Sequence, residues 1–137
     1  MAHYILNSVA ADAEQLRDRV AGCLAEALWS VDGNEPHADA LAAGDRALIY
    51  LGAPVWEFIG RADLASAVHA WTPAEAHAYP GDAEGGVVLA HVEEWEAPVP
   101  MDIVLAQLAD NPWARADFEN GVVQITKHEY NIVLAAA

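Results

Sequence analysis

Basic residues are scarce in this chain. Six Lys and Arg stand against 21 Asp and Glu, a formal charge of −15 over 137 residues. Residues 75–119 carry ten acids and only Arg115, and no Lys or Arg lies between Arg61 and Arg115. Nonspecific affinity for nucleic acid comes from neutralised phosphates and released counterions. The composition therefore predicts weak nonspecific DNA binding. Cysteine is almost missing too: Cys23 stands alone and can form no internal disulfide, which suits a cytoplasmic protein. No stretch approaches the ~20 apolar residues of a membrane span. The opening Met1 to Asn7 lacks the basic and long apolar regions of a secretory signal. No membrane partner is expected.

Catalytic and metal motifs are equally sparse. The histidines are His3, His37, His69, His77, His91 and His128, and none forms His-Glu-x-x-His. Cys23 has no cysteine partner, and His37-x-Asp39 and His91-x-Glu93 are weak pairs, so no metal or cofactor is expected. Gly-x-Ser-x-Gly does not occur, and Gly85-Gly86 reads as an isolated turn rather than a phosphate loop. Glu93, Glu94 and Glu96 fall on one strand, where neighbours point to opposite faces, and read as a solvated surface. No catalytic residue is assigned, and the expectation is a protein that is not an enzyme.

What is present is a hydrophobic content of 55% with 20% charged residues, enough for a single folded domain over residues 1–137. His3–Asn7 alternates as an opening strand. Asp12 to Gln15 resembles a capping box, and Leu16, Val20, Leu24 and Leu28 then recur at helical spacing, with Trp29 at the helix end. Residues 30–44 read as loop with one helical turn. Arg46–Leu51 is apolar on both faces, and Trp56–Leu64 returns from the Gly52-Ala-Pro54 connection as an antiparallel partner. That strand extends through Ala67–Trp71 beyond a bulge. Thr72 to Glu75 and Thr126 to Glu129 are capping boxes, the second with Ile125 and Tyr130 placed as a hydrophobic staple. Val87–Glu96 is a long strand broken by Pro98 and Pro100. Met101–Leu108 is a short helix stopped by Asn111-Pro112, and Gly121–Ile125 is the last strand before a helix to about Leu134. Long strands without a helix between each pair argue for an α+β fold. Its core is a small curved β-barrel of five to six mostly antiparallel strands with flanking helices.

The aromatics carry the functional signal. Five of eleven are tryptophan, Trp29, Trp56, Trp71, Trp95 and Trp113, each at an element boundary or turn. Tryptophan can stack on a base or hold a methylated group, or it can cap the end of a small barrel core.

The segment LWSVDGNEPHADALAAGDRALIYLGAPVWEFIGRADL resembles the middle of an EVE domain. It is also similar to YTH domains, which recognise methylated adenine, in its order of Trp-Ser, Asn-Glu, leucine-containing turn, apolar strand, hairpin tip and Phe-x-Gly. The opening strand ending in Asn7-Ser8 and the ending GVVQITKHEYNIVLA fit the same family, so the resemblance spans about residues 3–135. It implies a PUA-like barrel with one pocket for a modified base. Trp29 would be the stacking wall, Ser30 would offer backbone contacts, and Asn7 and Ser8 would supply polar contacts. Trp71 would be the opposing wall and Trp56 a rim residue. A pocket wall is partly exposed, so Trp29→Ala is expected to remove ~1–3 kcal/mol of affinity without unfolding the domain. The chain departs from the basic surfaces of YTH domains. It also lacks a pocket lysine such as the ASCH amidohydrolases carry, since its one lysine, Lys127, falls on the C-terminal helix.

The expected function is therefore a non-enzymatic module reading a modified nucleobase, of the methylated or hydroxymethylated cytosine or methylated adenine class. Its partner is that base, single-stranded or flipped out of nucleic acid, or a free nucleoside-like ligand. The rival readings are a small hydrolase or amidohydrolase acting on a nucleoside-like metabolite, and an interaction protein with a vestigial pocket.

Overall fold

A computed structural model describes residues 1–108, 113, 118 and 121–137. The elements run β1 (His3–Ser8), α1 (Ala13–Glu26), β2 (Leu28–Ser30), a 3-10 turn (Ala38–Ala40), β3 (Arg46–Leu51), β4 (Glu57–Leu64) and β5 (His69–Ala70). They continue as α2 (Pro73–Ala78), β6 (Gly85–Pro100), α3 (Met101–Gln107), β7 (Val122–Ile125) and α4 (Lys127–Ala136). The strands form one curled, half-barrel sheet in the order β2-β6-β4-β3-β1-β7, with β5 also on β6. Among the described residues only β1 and β3 pair in parallel, Ile5 opposite Leu48. β3 and β4 form the expected antiparallel hairpin, Arg46 opposite Asp63 and Leu51 opposite Glu57.

Alternation explains why both faces of β1 and β3 are apolar. Tyr4, Leu6, Ala47, Ile49 and Leu51 join one cluster with Leu16, Val20 and Leu24 of α1. Ile5, Leu48 and Tyr50 join another with Val104 of α3 and Tyr130 and Val133 of α4. The central strands are thus sandwiched, as period-2 geometry requires of a two-sided core.

Three details depart from the sequence reading. Leu28 has helical spacing, yet α1 stops at Glu26. Ala27 takes a left-handed conformation, φ 55°, its N–H capping the Cys23 and Leu24 carbonyls, and Leu28–Ser30 turns onto β6 as a strand. The strand expected through Ala67–Trp71 shortens to His69–Ala70. With β2, this brings the sheet to seven strands among the described residues rather than five or six. Pro98 and Pro100 do not break β6, which runs on to Pro100. Beyond Val88 no β2 residue pairs with it, and Val99 and Pro100 pair only with β4; a sheet edge tolerates proline. The expected stop at Asn111-Pro112 lies outside the described residues. Both capping boxes form, with Thr72 and Glu75 on α2 and Thr126 and Glu129 on α4.

Candidate functional site

α1 links the end of β1 to β2, so the polar end of the first strand and the Trp-Ser corner come to one place. A cleft of about 1160 Å³ opens there, walled by α1, the 31–35 loop, β5 and the 79–85 loop. Asn7, Ser8, Trp29 and Ser30 all line it. Gly86 makes this corner: a Cβ there would sit 2.0 Å from the Trp29 carbonyl oxygen, so only glycine lets β6 lie against β2 at this point.

Trp29 is 5% exposed and packs in the α1-side core, which corrects the expectation of a partly exposed wall. β2 pairing draws Trp29 under α1, and the residue still lines the cleft. Trp71 is not among the cleft-lining residues. Tyr79 is, and Trp71 packs against it at 5.3 Å between ring centres with 33° between planes. Trp56 lies away from the cleft, lining a separate cavity.

Several polar residues at the cleft are tied into the fold. Asn7 donates its backbone N–H to the Gly121 carbonyl at 2.8 Å and its side-chain N–H to the Phe118 carbonyl. The Ser8 hydroxyl accepts from Arg19 at 2.9 Å, and the same guanidinium nitrogen donates to the Val9 carbonyl. Glu35 accepts the Gly121 N–H at 2.8 Å. The Tyr79 hydroxyl lies beside Ser30 and Cys23. Burial raises the pKa of Tyr79 and that of Cys23, so both stay protonated near neutrality. A buried protonated thiol is a packing group, not a nucleophile.

Charge at the cleft is one-sided. Arg19 is the one lining Lys or Arg among the described residues, against Asp32, Glu35, Asp82 and Glu84. His69 also lines the cleft and adds a positive group when protonated. Its Nδ1 faces the Ala67 carbonyl at 3.0 Å and its Nε2 faces Glu75 at 2.9 Å. First the Ala67 carbonyl and then the Glu75 carboxylate raise the His69 pKa. The Thr72 backbone N–H and then His69 lower that of Glu75. Both ring nitrogens meet acceptors, which favours an imidazolium with no lone pair for taking a proton. Among the described residues, no group of three or more His, Cys, Asp and Glu is arranged to hold a metal ion. No helix among them is long and apolar enough to cross a membrane.

No family model matches the sequence, and none of the curated proteins does. Solved structures do match. A protein of Rhodopseudomonas palustris, 22% identical, aligns over 99% of this chain and 92% of its own with a TM-score of 0.65. An ASCH protein of Zymomonas mobilis, 16% identical, aligns over 98% and 94% with a TM-score of 0.60. The N-terminal domain of McrB from Staphylothermus marinus, 11% identical, aligns over 98% and 94% with a TM-score of 0.63. The fold is a PUA-like curved barrel. At these identities the likeness is one of fold, and it extends to an ASCH protein rather than singling out the EVE branch.

Within this barrel the sequence reading missed Tyr79, Arg19 and His69. In the sequence, Tyr79-Pro80-Gly81 reads as a turn that ends the helix begun at Thr72. Its placement follows from Gly22 on α1, where a Cβ would come within 3.2 Å of the Pro80 ring, so the bare helix surface lets the turn approach. An aromatic directly before a Pro-Gly turn is the one local signal that marks it.

Proposed function

We propose that the protein is a non-enzymatic binding module whose cleft takes one modified nucleobase, of the methylated or hydroxymethylated cytosine or methylated adenine class. The base enters flipped out of a strand or as a free nucleoside. The observation that carries this reading is the convergence of Ser8, Trp29, Ser30 and Tyr79, from three separate segments, on one cleft. Tyr79 gives an aromatic face, Trp29 borders the cleft from β2, and the Ser8 and Ser30 hydroxyls give a polar edge. The fold shared with an ASCH protein and with the McrB N-terminal domain supports a nucleic-acid-binding module in general. The four cleft carboxylates disfavour a long phosphate backbone across the mouth, which favours a single base or nucleoside.

One observation speaks for the hydrolase reading: the perturbed His69–Glu75 pair borders the cleft, where altered titration marks candidate catalysts. The pair instead serves the fold. Glu75 closes the capping box of α2 with the same oxygen that accepts from His69, and His69 has no free nitrogen.

The test is calorimetric titration of the protein with 5-methylcytidine, 5-hydroxymethylcytidine, N6-methyladenosine and their unmodified parents. One modified nucleoside should bind about tenfold or more above its parent, the value of one well-fitted methyl. Tyr79→Ala should remove ~1–3 kcal/mol of that affinity. Equal binding of modified and unmodified forms, or no binding of any, would refute the proposal.

A further inference from the structure

We infer that base binding at the cleft is proton-linked, with His69 as the switch and Trp71 as the brace that sets the Tyr79 ring. The inference rests on the reading of the cleft as a nucleobase site and adds its regulation. Three rings stand in a row from β5 to the end of α2. His69 meets Trp71 edge-on, with 5.8 Å between ring centres and 86° between planes. Trp71 in turn lies against Tyr79 at 5.3 Å and 33°. His69 and Tyr79 both line the cleft, and Trp71, which does not, joins them.

α2 connects these rings, and little else holds it. It is six residues long and buries none of them. A helix this short is marginal on its own in water. Glu75 ties both of its ends. The Glu75 carboxylate accepts the Thr72 N–H at 2.9 Å, and its carbonyl accepts the Tyr79 N–H at 2.8 Å. The carboxylate oxygen that caps Thr72 also faces His69 Nε2 at 2.9 Å. Trp71 donates its backbone N–H to the Glu84 carbonyl at 2.8 Å. Its enclosed indole N–H finds no hydrogen-bond partner among the described residues, so packing against the flanking rings sets the angle of the indole. The Tyr79 hydroxyl rests beside Ser30 and Cys23, which leaves the tilt of the ring to Trp71.

The charge on His69 decides how firmly the row is held. Its Nδ1 faces the Ala67 carbonyl at 3.0 Å and the Ser66 hydroxyl at 3.4 Å, and its Nε2 faces Glu75. Its register partner on β6 is Gly86, which brings no side chain. The charged group acting on the ring is Glu75 of α2. As an imidazolium, His69 donates from both nitrogens and pairs with the capping carboxylate. As a neutral imidazole it has one proton for two acceptors, so either Ala67 or Glu75 loses its bond. The raised pKa of His69 agrees with this. Affinity for the base is therefore full while His69 is protonated. It falls as pH rises through the folded value, above the ordinary 6.5. His69 and Trp71 are positioning residues; Tyr79 is the ring that meets the base.

The experiment titrates the full chain with N6-methyladenosine and with 5-methylcytidine. Calorimetry is run at steps between about pH 5 and 9, which spans the charge change of histidine. The tighter binder should lose about threefold to tenfold in affinity from the acid to the alkaline end, the worth of one well-set aromatic contact. His69→Gln should bind at the alkaline level throughout. Trp71→Phe keeps a ring between His69 and Tyr79 and should keep the slope, whereas Trp71→Ala should lose it, although Trp71 does not line the cleft. His77→Gln, on the same helix, should follow wild type. In the free protein, the Tyr79 ring resonances should shift through the same pH as those of His69. A flat wild-type profile, a slope that survives in His69→Gln, or Tyr79 resonances that ignore His69 overturns the inference and leaves the nucleobase reading standing. Binding of neither nucleoside at any pH defeats that reading, and the inference with it.

Discussion

Replacing Trp29 by alanine tests the central residue of the cleft twice over. The indole is 5% exposed and packs among Leu16, Val20 and Leu24 of α1 and Val87 of β6. Truncating a buried tryptophan leaves a cavity and costs about 3–5 kcal/mol. Domains are stable by only ~5–15 kcal/mol, and for a chain of this length each kcal/mol moves Tm by about 3–5 °C. Trp29→Ala should therefore melt about 10–20 °C below wild type. Binding must be read in Trp29→Phe, which keeps a ring in the core and should cost only about 1–2 kcal/mol of stability. The assay is urea and thermal unfolding by circular dichroism, with nucleoside titration of the phenylalanine variant. An alanine variant that melts within ~2 °C of wild type would show that the indole is not part of the core, and the packing argument would be wrong.

Protonation of His69 should leave a trace in stability. Its pKa is raised in the fold, so its contribution is full below the ordinary value of 6.5 and drains away as pH rises through the folded value. Glu75 is lowered, so its share is full above the ordinary 4.5 and is lost as pH falls through its own folded value. The pair stabilises most between 4.5 and 6.5, so wild-type Tm should decline above pH 6.5, and His69→Gln should flatten that decline. Gly86→Ala should cost ~1–3 kcal/mol or more in urea unfolding, since the new methyl meets the Trp29 carbonyl; an unchanged midpoint would contradict the close strand approach. Plain duplex DNA should bind near or beyond ~10⁻⁴ M at physiological salt, and micromolar, strongly salt-dependent binding by anisotropy would point to a basic cleft that the cleft residues do not supply.

The parts of this molecule written in local code were readable in advance. Thr72 with Glu75, and Thr126 with Glu129, name their helices through side chains three residues apart, and both reciprocal bonds form. The two-sided apolar run of Arg46–Leu51 marks a strand sandwiched between two cores, and the fold supplies both. What was hidden depends on partners far along the chain. Leu28 keeps the helical period, but β6, nearly sixty residues later, draws it into a strand with Val88 opposite. Pro98 and Pro100 look like breakers because nothing nearby in sequence says that β6 is an edge there. The site divides the same way. Asn7, Ser8, Trp29 and Ser30 were named by motif order and all reach the cleft. Tyr79 faces it in front of Trp71 because a helical glycine and a proline turn meet, a coincidence that no single segment encodes.

The parallel pairing of β1 with β3 sets an order on synthesis. β1 lies between β3 and β7, so its second edge is covered only by Val122–Ile125. While the chain is being made, β1 can bind β3 once residue 51 has emerged, yet its other edge stays open until residue 125 does. At ~5–20 residues per second, that interval lasts several seconds. Throughout it the growing chain presents an unpaired, strongly apolar strand, Tyr4, Ile5 and Leu6, to whatever is nearby. The surplus of carboxylates bears on that interval as well. Net charge far from zero keeps chains soluble and apart, so neighbouring nascent chains of this charge should repel while their open edges wait for the last strand.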